Sequence, residues 1–144
     1  MSRKTNLFAI GLGEDAARRF WVLTSARPLA AVEVDREIRK SAESYVREAA
    51  RELGIEPPYL RWYKSINKSN CGWFVPEMPS CIWLRHDVTP AELETACFHE
   101  VAHYADHLRG GDLSEQFAQD LTKSLKIRDW HILRRRLHRH LQMR

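Results

Sequence analysis

From Val34 onward the apolar residues Val34, Ile38, Ala42, Tyr45, Ala49 and Leu53 recur at steps of three and four, which gathers them on one side of an α-helix. Gly54 can take the left-handed backbone that ends a helix, and Pro57 and Pro58 cannot continue one, so the spacing predicts a long helix ending near Leu53. Beyond the prolines the pattern shortens. Residues 59–64, 71–75 and 81–86 are short runs rich in aromatic and other strand-favouring side chains, and they read as three strands. Ser65 to Asn70 supplies turn residues between the first two, and Pro76 to Ser80 connects the second to the third. The expected sheet is small and mostly antiparallel.

Helical spacing returns at Thr89-Pro90-Ala91-Glu92. Thr can cap the first turn, Pro suits the first helical position, and Glu three residues after the cap completes a capping box. This second helix can run to Leu108, before Gly110 and Gly111 free the backbone to turn. A third helix opens near Ser114 and continues, with a break near Asp129, towards the end of the chain. No internal repeat or low-complexity linker interrupts the series. The expected architecture is α+β: an N-terminal segment of unassigned role at 1–33, a core at 34–125, and a basic C-terminal helix at 126–144.

Composition narrows the class. With 144 residues, 44% hydrophobic and 29% charged, the chain has the size and balance of one folded domain and not of a disordered segment. The opening stretch MSRKTNLFAIGLGEDAARR has basic residues and a short apolar run, but the run breaks at Gly-Glu-Asp and has no small-residue cleavage pattern, so no secretory signal is read there. Nothing approaches the roughly 18 apolar residues that span a bilayer, and a soluble, cytoplasmic protein is expected. Cys71, Cys81 and Cys97 match no zinc-ribbon or redox spacing. Reduced thiols are the expectation, with a Cys71–Cys81 bridge the alternative for an exported chain.

The pattern with chemical content is His99-Glu100-Val101-Ala102-His103, inside the second predicted helix. Residues four apart point nearly the same way and lie roughly 6 Å apart along the axis, so both imidazoles can reach one ion. Glu100 projects about 100° away from His99, unsuited to be a third ligand but suited to stand beside a metal-bound water as general base. Zinc with three protein ligands and an open position brings the pKa of its water to about 7. A neighbouring carboxylate can then take the proton and return it to a leaving amine. His107 continues the four-residue spacing but sits about 12 Å along the axis from His99, too far to share the ion.

At this motif the chain resembles the zincin metallopeptidases, whose plan is a small sheet, a helix bearing HExxH and a following helix that supplies a third ligand. The resemblance covers about residues 34–125. In the gluzincin branch the third ligand is a Glu, often in a stretch like Glu-x-Phe-Ala, and this chain has Glu115-Gln116-Phe117-Ala118. The resemblance therefore implies zinc on His99, His103 and Glu115, with peptide or protein as substrate. Asp112 and Asp120 are the alternatives to Glu115, which could instead close a capping box begun at Asp112. The metzincin pattern, with a Gly and a third His at fixed positions, is absent from HEVAHYADHLRGG. Asp106, on the face of His103, could orient a ligand imidazole or be a surface charge. Tyr104, His86 and Tyr63 are the candidates to stabilise an oxyanion. An edge strand aligning the substrate would be 71–75 or 81–86, with Trp73, Phe74 and Trp83 either in subsites or in the core.

Charge is unevenly spread. Residues 123–144 hold eight Lys or Arg and only Asp129, a net +7, which leaves the rest of the chain at −3 against the overall +4. Leu133, Leu137 and Leu141 give this tail an apolar stripe beside its cations. It reads as a solvated helix packed on the domain, with nucleic-acid phosphates, or an acidic partner or membrane surface, as the other readings. His131, His138 and His140 have no spacing that closes a second metal site. The alternative to an enzyme is a non-catalytic nucleic-acid- or partner-binding module with a structural or vestigial metal.

Overall fold

A computed structural model describes residues 25–68, 70–75, 80–111 and 114–128. Its elements run β1 (Ala26–Leu29), a 3-10 turn (Ala31–Glu33), α1 (Arg36–Leu53), β2 (Tyr59–Ser65), β3 (Gly72–Trp73), β4 (Cys81–Arg85), α2 (Pro90–Leu108) and α3 (Glu115–Ile127). The class is α+β, as expected. Among the described residues no helix is long and apolar enough to cross a membrane. The basic tail beyond Arg128, with its three histidines, and the first 24 residues lie outside the described residues.

The helices start and stop where their caps dictate. Asp35 accepts a hydrogen bond from the Ile38 amide at 3.1 Å, so α1 begins two residues later than Val34, and Gly54 ends it in the left-handed conformation at φ 70°. Thr89 and Glu92 form the reciprocal capping box of α2, with Pro90 in its first turn. Helix α2 is buried on most of its circumference, because α1, α3 and the sheet all pack against it. Small residues make this close approach feasible: Ala42 and Ala49 of α1 and Ala102 and Ala105 of α2 are fully buried. Tyr45 meets Phe98 edge-to-face at 5.8 Å, and burying the Phe98 side chain contributes about 1.5–3 kcal/mol. At the far end of α3, Arg128 pairs with Glu48 of α1 and Glu94 of α2, tying the three helices together.

The sheet differs from expectation in two ways. Its order is β1-β2-β4-β3, and the central pair, β2 with β4, is parallel in register Tyr59↔Cys81 to Tyr63↔Arg85; only the outer pairs are antiparallel. The sheet is therefore mixed. The chain passes from β2 to the far edge, forms β3, and returns through β4 between them. All five residues of β4 are buried, and an unbroken run such as Cys-Ile-Trp-Leu is the mark of a strand covered on both faces. The second difference is β1, which belongs to the segment left unassigned at 1–33 yet pairs with β2 from Ala26↔Ser65 to Leu29↔Trp62. Its four residues, one of them Pro28, are too short for an alternating pattern, and proline is tolerated because the strand is an edge.

The three thiols are free, with Cys81 and Cys97 buried. Arg85 donates its amide to the Cys71 carbonyl at 2.9 Å, which sets Cys71 beside one end of β4 while Cys81 begins the other. Four residues of strand separate the two ends by about 13 Å, so a Cys71–Cys81 bridge, which needs Cα atoms within about 7 Å, does not fit this fold.

Candidate metal centre

One turn of α2 presents His99 and His103 on the same face, and the turn after the helix brings Glu115 back to them. Gly110, at φ 74°, and the Gly111 amide, bonded to the Asp106 carbonyl at 2.8 Å, close that turn. Ser114 caps α3 by accepting from the Phe117 amide at 3.2 Å. The cap is therefore Ser114, and Glu115, at the first helical position, is not needed for it. The result is a three-point convergence: His99 Nε2 to His103 Nε2 is 3.2 Å, His103 Nε2 to Glu115 Oε1 is 2.7 Å, and His99 Nε2 to Glu115 Oε2 is 3.2 Å.

These separations test whether zinc fits. A tetrahedral ion with bonds of about 2.0–2.1 Å holds its donor atoms about 3.3 Å apart. Two of the three distances lie close to that, and the third is short by roughly half an ångström, within the reach of one carboxylate rotation. Burial, and next the neighbouring His103, lower the pKa of His99, with Glu115 opposing; a neutral imidazole is the form that ligates. Among the described residues the cluster has three members. Two nitrogens and a carboxylate would leave a tetrahedral ion one ligand short.

Glu100 is 6% exposed. Burial, and then the charge of Glu115, push its carboxyl up to about 8. Directly over its stem runs the backbone of β3. A Cβ built on Gly72 would lie 3.1 Å from Glu100 Cγ and 2.8 Å from the Trp83 carbonyl oxygen, so only glycine lets the edge strand approach this closely. The sequence reading passed over Gly72. Its signal was available, since an isolated glycine within a strand pattern marks close backbone approach.

A cleft of about 690 Å³ opens over these groups. Residues 70–74, including Cys71, Trp73 and Phe74, form one wall. The first turns of α2 form the other, through Ala91, Glu92, Thr95 and Ala96. His99, Glu100, His103 and Glu115 line the space between. Trp73 stacks on Tyr63 at 4.1 Å, and Phe74 meets the His107 ring at 5.4 Å, so both aromatic residues of the wall are braced from behind. Trp83 is core, 3% exposed.

A polar network centred on the buried Arg85 fixes the loop that enters this wall. Arg85 Nη1 donates to the carbonyls of Lys68 at 2.8 Å and Asn70 at 2.9 Å. The Tyr63 hydroxyl donates to the same Asn70 carbonyl at 3.0 Å. Arg85 Nε and Lys68 both bond Asp87.

The three oxyanion candidates are not brought to the cleft. Tyr63 is fully buried behind Trp73, Tyr104 is 8% exposed behind Phe74, and His86 follows β4 with its amide bonded to the Tyr63 carbonyl. Asp106 is 1% exposed, which rules out a surface charge. Asp120 accepts from Gln116 on α3 and stands outside the cluster, while Asp112 lies outside the described residues. Compared with known protein families, curated proteins and solved structures, the chain matches none of them at a significant level.

Proposed function

We propose that this chain is a zinc-dependent hydrolase of the zincin type that cleaves peptide bonds. The observation that carries the reading is the convergence of His99, His103 and Glu115 within 2.7–3.2 Å, with a buried carboxyl one residue from the first ligand and an open cleft above. His99 and His103 would hold the ion through Nε2 and Glu115 through its carboxylate. Zinc in that position supplies an acidified water and a polarised carbonyl, the two requirements of amide hydrolysis.

Glu100 supplies the proton transfer. It takes a proton from the attacking water and hands it to the departing amine nitrogen. Burial beneath β3 suits that role, because a carboxylate shielded from solvent is a stronger base than an exposed one. The β3 backbone at Gly72 and the aromatic wall behind it provide an extended surface along which a peptide can lie beside the ligands. A non-catalytic module with a closed structural metal would need a fourth protein ligand, and among the described residues the cluster has three.

The test is metal analysis of the purified protein beside His103→Ala and Glu100→Gln, with hydrolysis of a quenched fluorescent peptide library measured on each. Loss of bound zinc is expected for His103→Ala. Glu100→Gln should retain zinc and lose at least a hundredfold in rate, the usual contribution of a positioned acid or base. Zinc bound with equal affinity by His103→Ala, or cleavage by Glu100→Gln at the parent rate, would overturn the assignment.

A further inference from the structure

The cleft has a chemical polarity that the hydrolytic groups do not account for. Its described lining includes Glu92 in addition to Glu100 and Glu115, and no Lys or Arg. Glu92 lies seven residues before His99 on α2, two helical turns along nearly the same face, which places it about 10 Å from that ligand along the axis. Its carboxylate is not a loose surface charge. It accepts hydrogen bonds from the Thr89 hydroxyl at 2.9 Å and the Thr89 amide at 3.3 Å, so the capping box that starts α2 also fixes this charge at the rim. Those bonds, with smaller contributions from the Arg85 charge and a hydrogen bond with the Cys71 side chain, hold its carboxyl below the usual carboxylate value, which keeps it ionised at neutral pH. Around it the wall is lined by the small side chains of Ala91, Thr95 and Ala96, of which Thr95 already accepts a hydrogen bond from Lys126 Nζ at 2.7 Å.

We infer that Glu92 is a specificity-determining residue that selects a lysine or arginine side chain one or two residues from the cleaved bond, on the side extending towards the N-terminal end of α2. The inference rests on reading the cleft as a peptide site. An extended peptide advances about 3.3 Å per residue, so two residues from the metal, plus the length of a lysine or arginine stem, cover the 10 Å to Glu92. The aliphatic stem can lie on Ala91 and Ala96 while the cation meets the carboxylate. An acidic side chain at the same position would meet the Glu92 carboxylate itself, while the cations near this wall are bonded elsewhere, Arg85 to Asp87 and Lys126 Nζ to the Thr95 hydroxyl at 2.7 Å.

Two measurements separate this inference from the hydrolase reading. The first is binding: fluorescence polarisation of a labelled octapeptide, with a single Lys moved along it or replaced by norleucine, on the zinc-loaded Glu100→Gln protein. Lys at its best position should tighten binding about fivefold over norleucine, the size of a good partly exposed ion pair. Adding Glu92→Gln, which can still form the capping box, should abolish the difference. The second is cleavage-site identification by mass spectrometry on a peptide library digested by the parent protein, where Lys and Arg should be enriched at one position on one side of the bond. A Lys preference in binding without any cleavage would support the role of Glu92 and defeat the hydrolase reading. Equal binding of Lys and norleucine peptides, a preference that survives Glu92→Gln, or cleavage with no basic enrichment would each overturn the role of Glu92, and the last would leave the hydrolase reading intact.

Discussion

Two polar clusters lie against the edge strand β3, and they are built in opposite ways. Under the loop that leads into it, Arg85, Lys68 and Asp87 satisfy one another: two cations bond one carboxylate, and Arg85 Nη1 caps the carbonyls of Lys68 and Asn70. Burial alone would raise the Asp87 carboxyl, but the bonds from Lys68 and Arg85 prevail and hold it at about 2. Under the strand itself, His99, His103, Glu100 and Glu115 gather with no Lys or Arg among the described residues that line the cleft, and Glu100 is pushed the other way, to about 8. The first cluster is complete within the chain and serves to hold a loop. The second has donor atoms aimed at one point and an acid under strain, the condition in which an added cation has the most to offer.

Opposite shifts imply opposite pH responses, and the larger belongs to Glu100. Folded, Glu100 binds its proton more tightly than the ordinary value of 4.5, so the stability it contributes is full below that value and lost as the pH rises through about 8. Chemical denaturation of protein treated with a chelator should therefore show stability falling over that window, by at most about 5 kcal/mol. Glu100→Gln should flatten the fall; an equally steep curve in that variant would locate the titrating group elsewhere.

The next effect isolates the contact between β3 and the acid. Gly72→Ala places a methyl group 2.8 Å from the Trp83 carbonyl oxygen and 3.1 Å from Glu100 Cγ. Overpacking of this kind costs about 1–3 kcal/mol, measurable in urea titrations. Because the proposed ligands sit on α2 and α3, zinc affinity should change much less than hydrolysis; parallel loss of both would mean that β3 also supports those three residues.

The smallest effect belongs to the self-complete cluster. Asp87, held below its ordinary 3.8, contributes stability that is present above that value and lost as the pH falls through about 2. Its side chain is 34% exposed, so solvent screens the gain. Asp87→Asn should remove a shallow acid limb from the stability curve and leave the fall between 4.5 and 8 untouched.

The site was legible where a single helix carries it. His99, Glu100 and His103 follow from helical geometry together with the capping signals that start α2 at Pro90. Glu115 was approached only through resemblance to a family pattern, and its competitor roles, cap or ligand, were separated by the placement of Ser114. Gly72 and Glu92 do not stand out as site residues for a different reason: the glycine signals a close backbone approach without saying to what. A glycine in a strand and a glutamate in a capping box each have an ordinary local role, and nothing local reveals that the two walls face each other across the histidines.

By itself, then, the sequence determined the three helices, the Gly54 stop of α1 and the capping box of α2, the approximate positions of β2, β3 and β4, and the histidine pair, because these depend on interactions between residues a few positions apart. Tertiary structure decided the parallel pairing of β2 with β4, the recruitment of β1, the burial of Asp106, and the meeting of Glu115 with two imidazoles. Those outcomes depend on which distant surfaces cover one another, and the periodicity of a segment records which of its faces is buried but not what buries it.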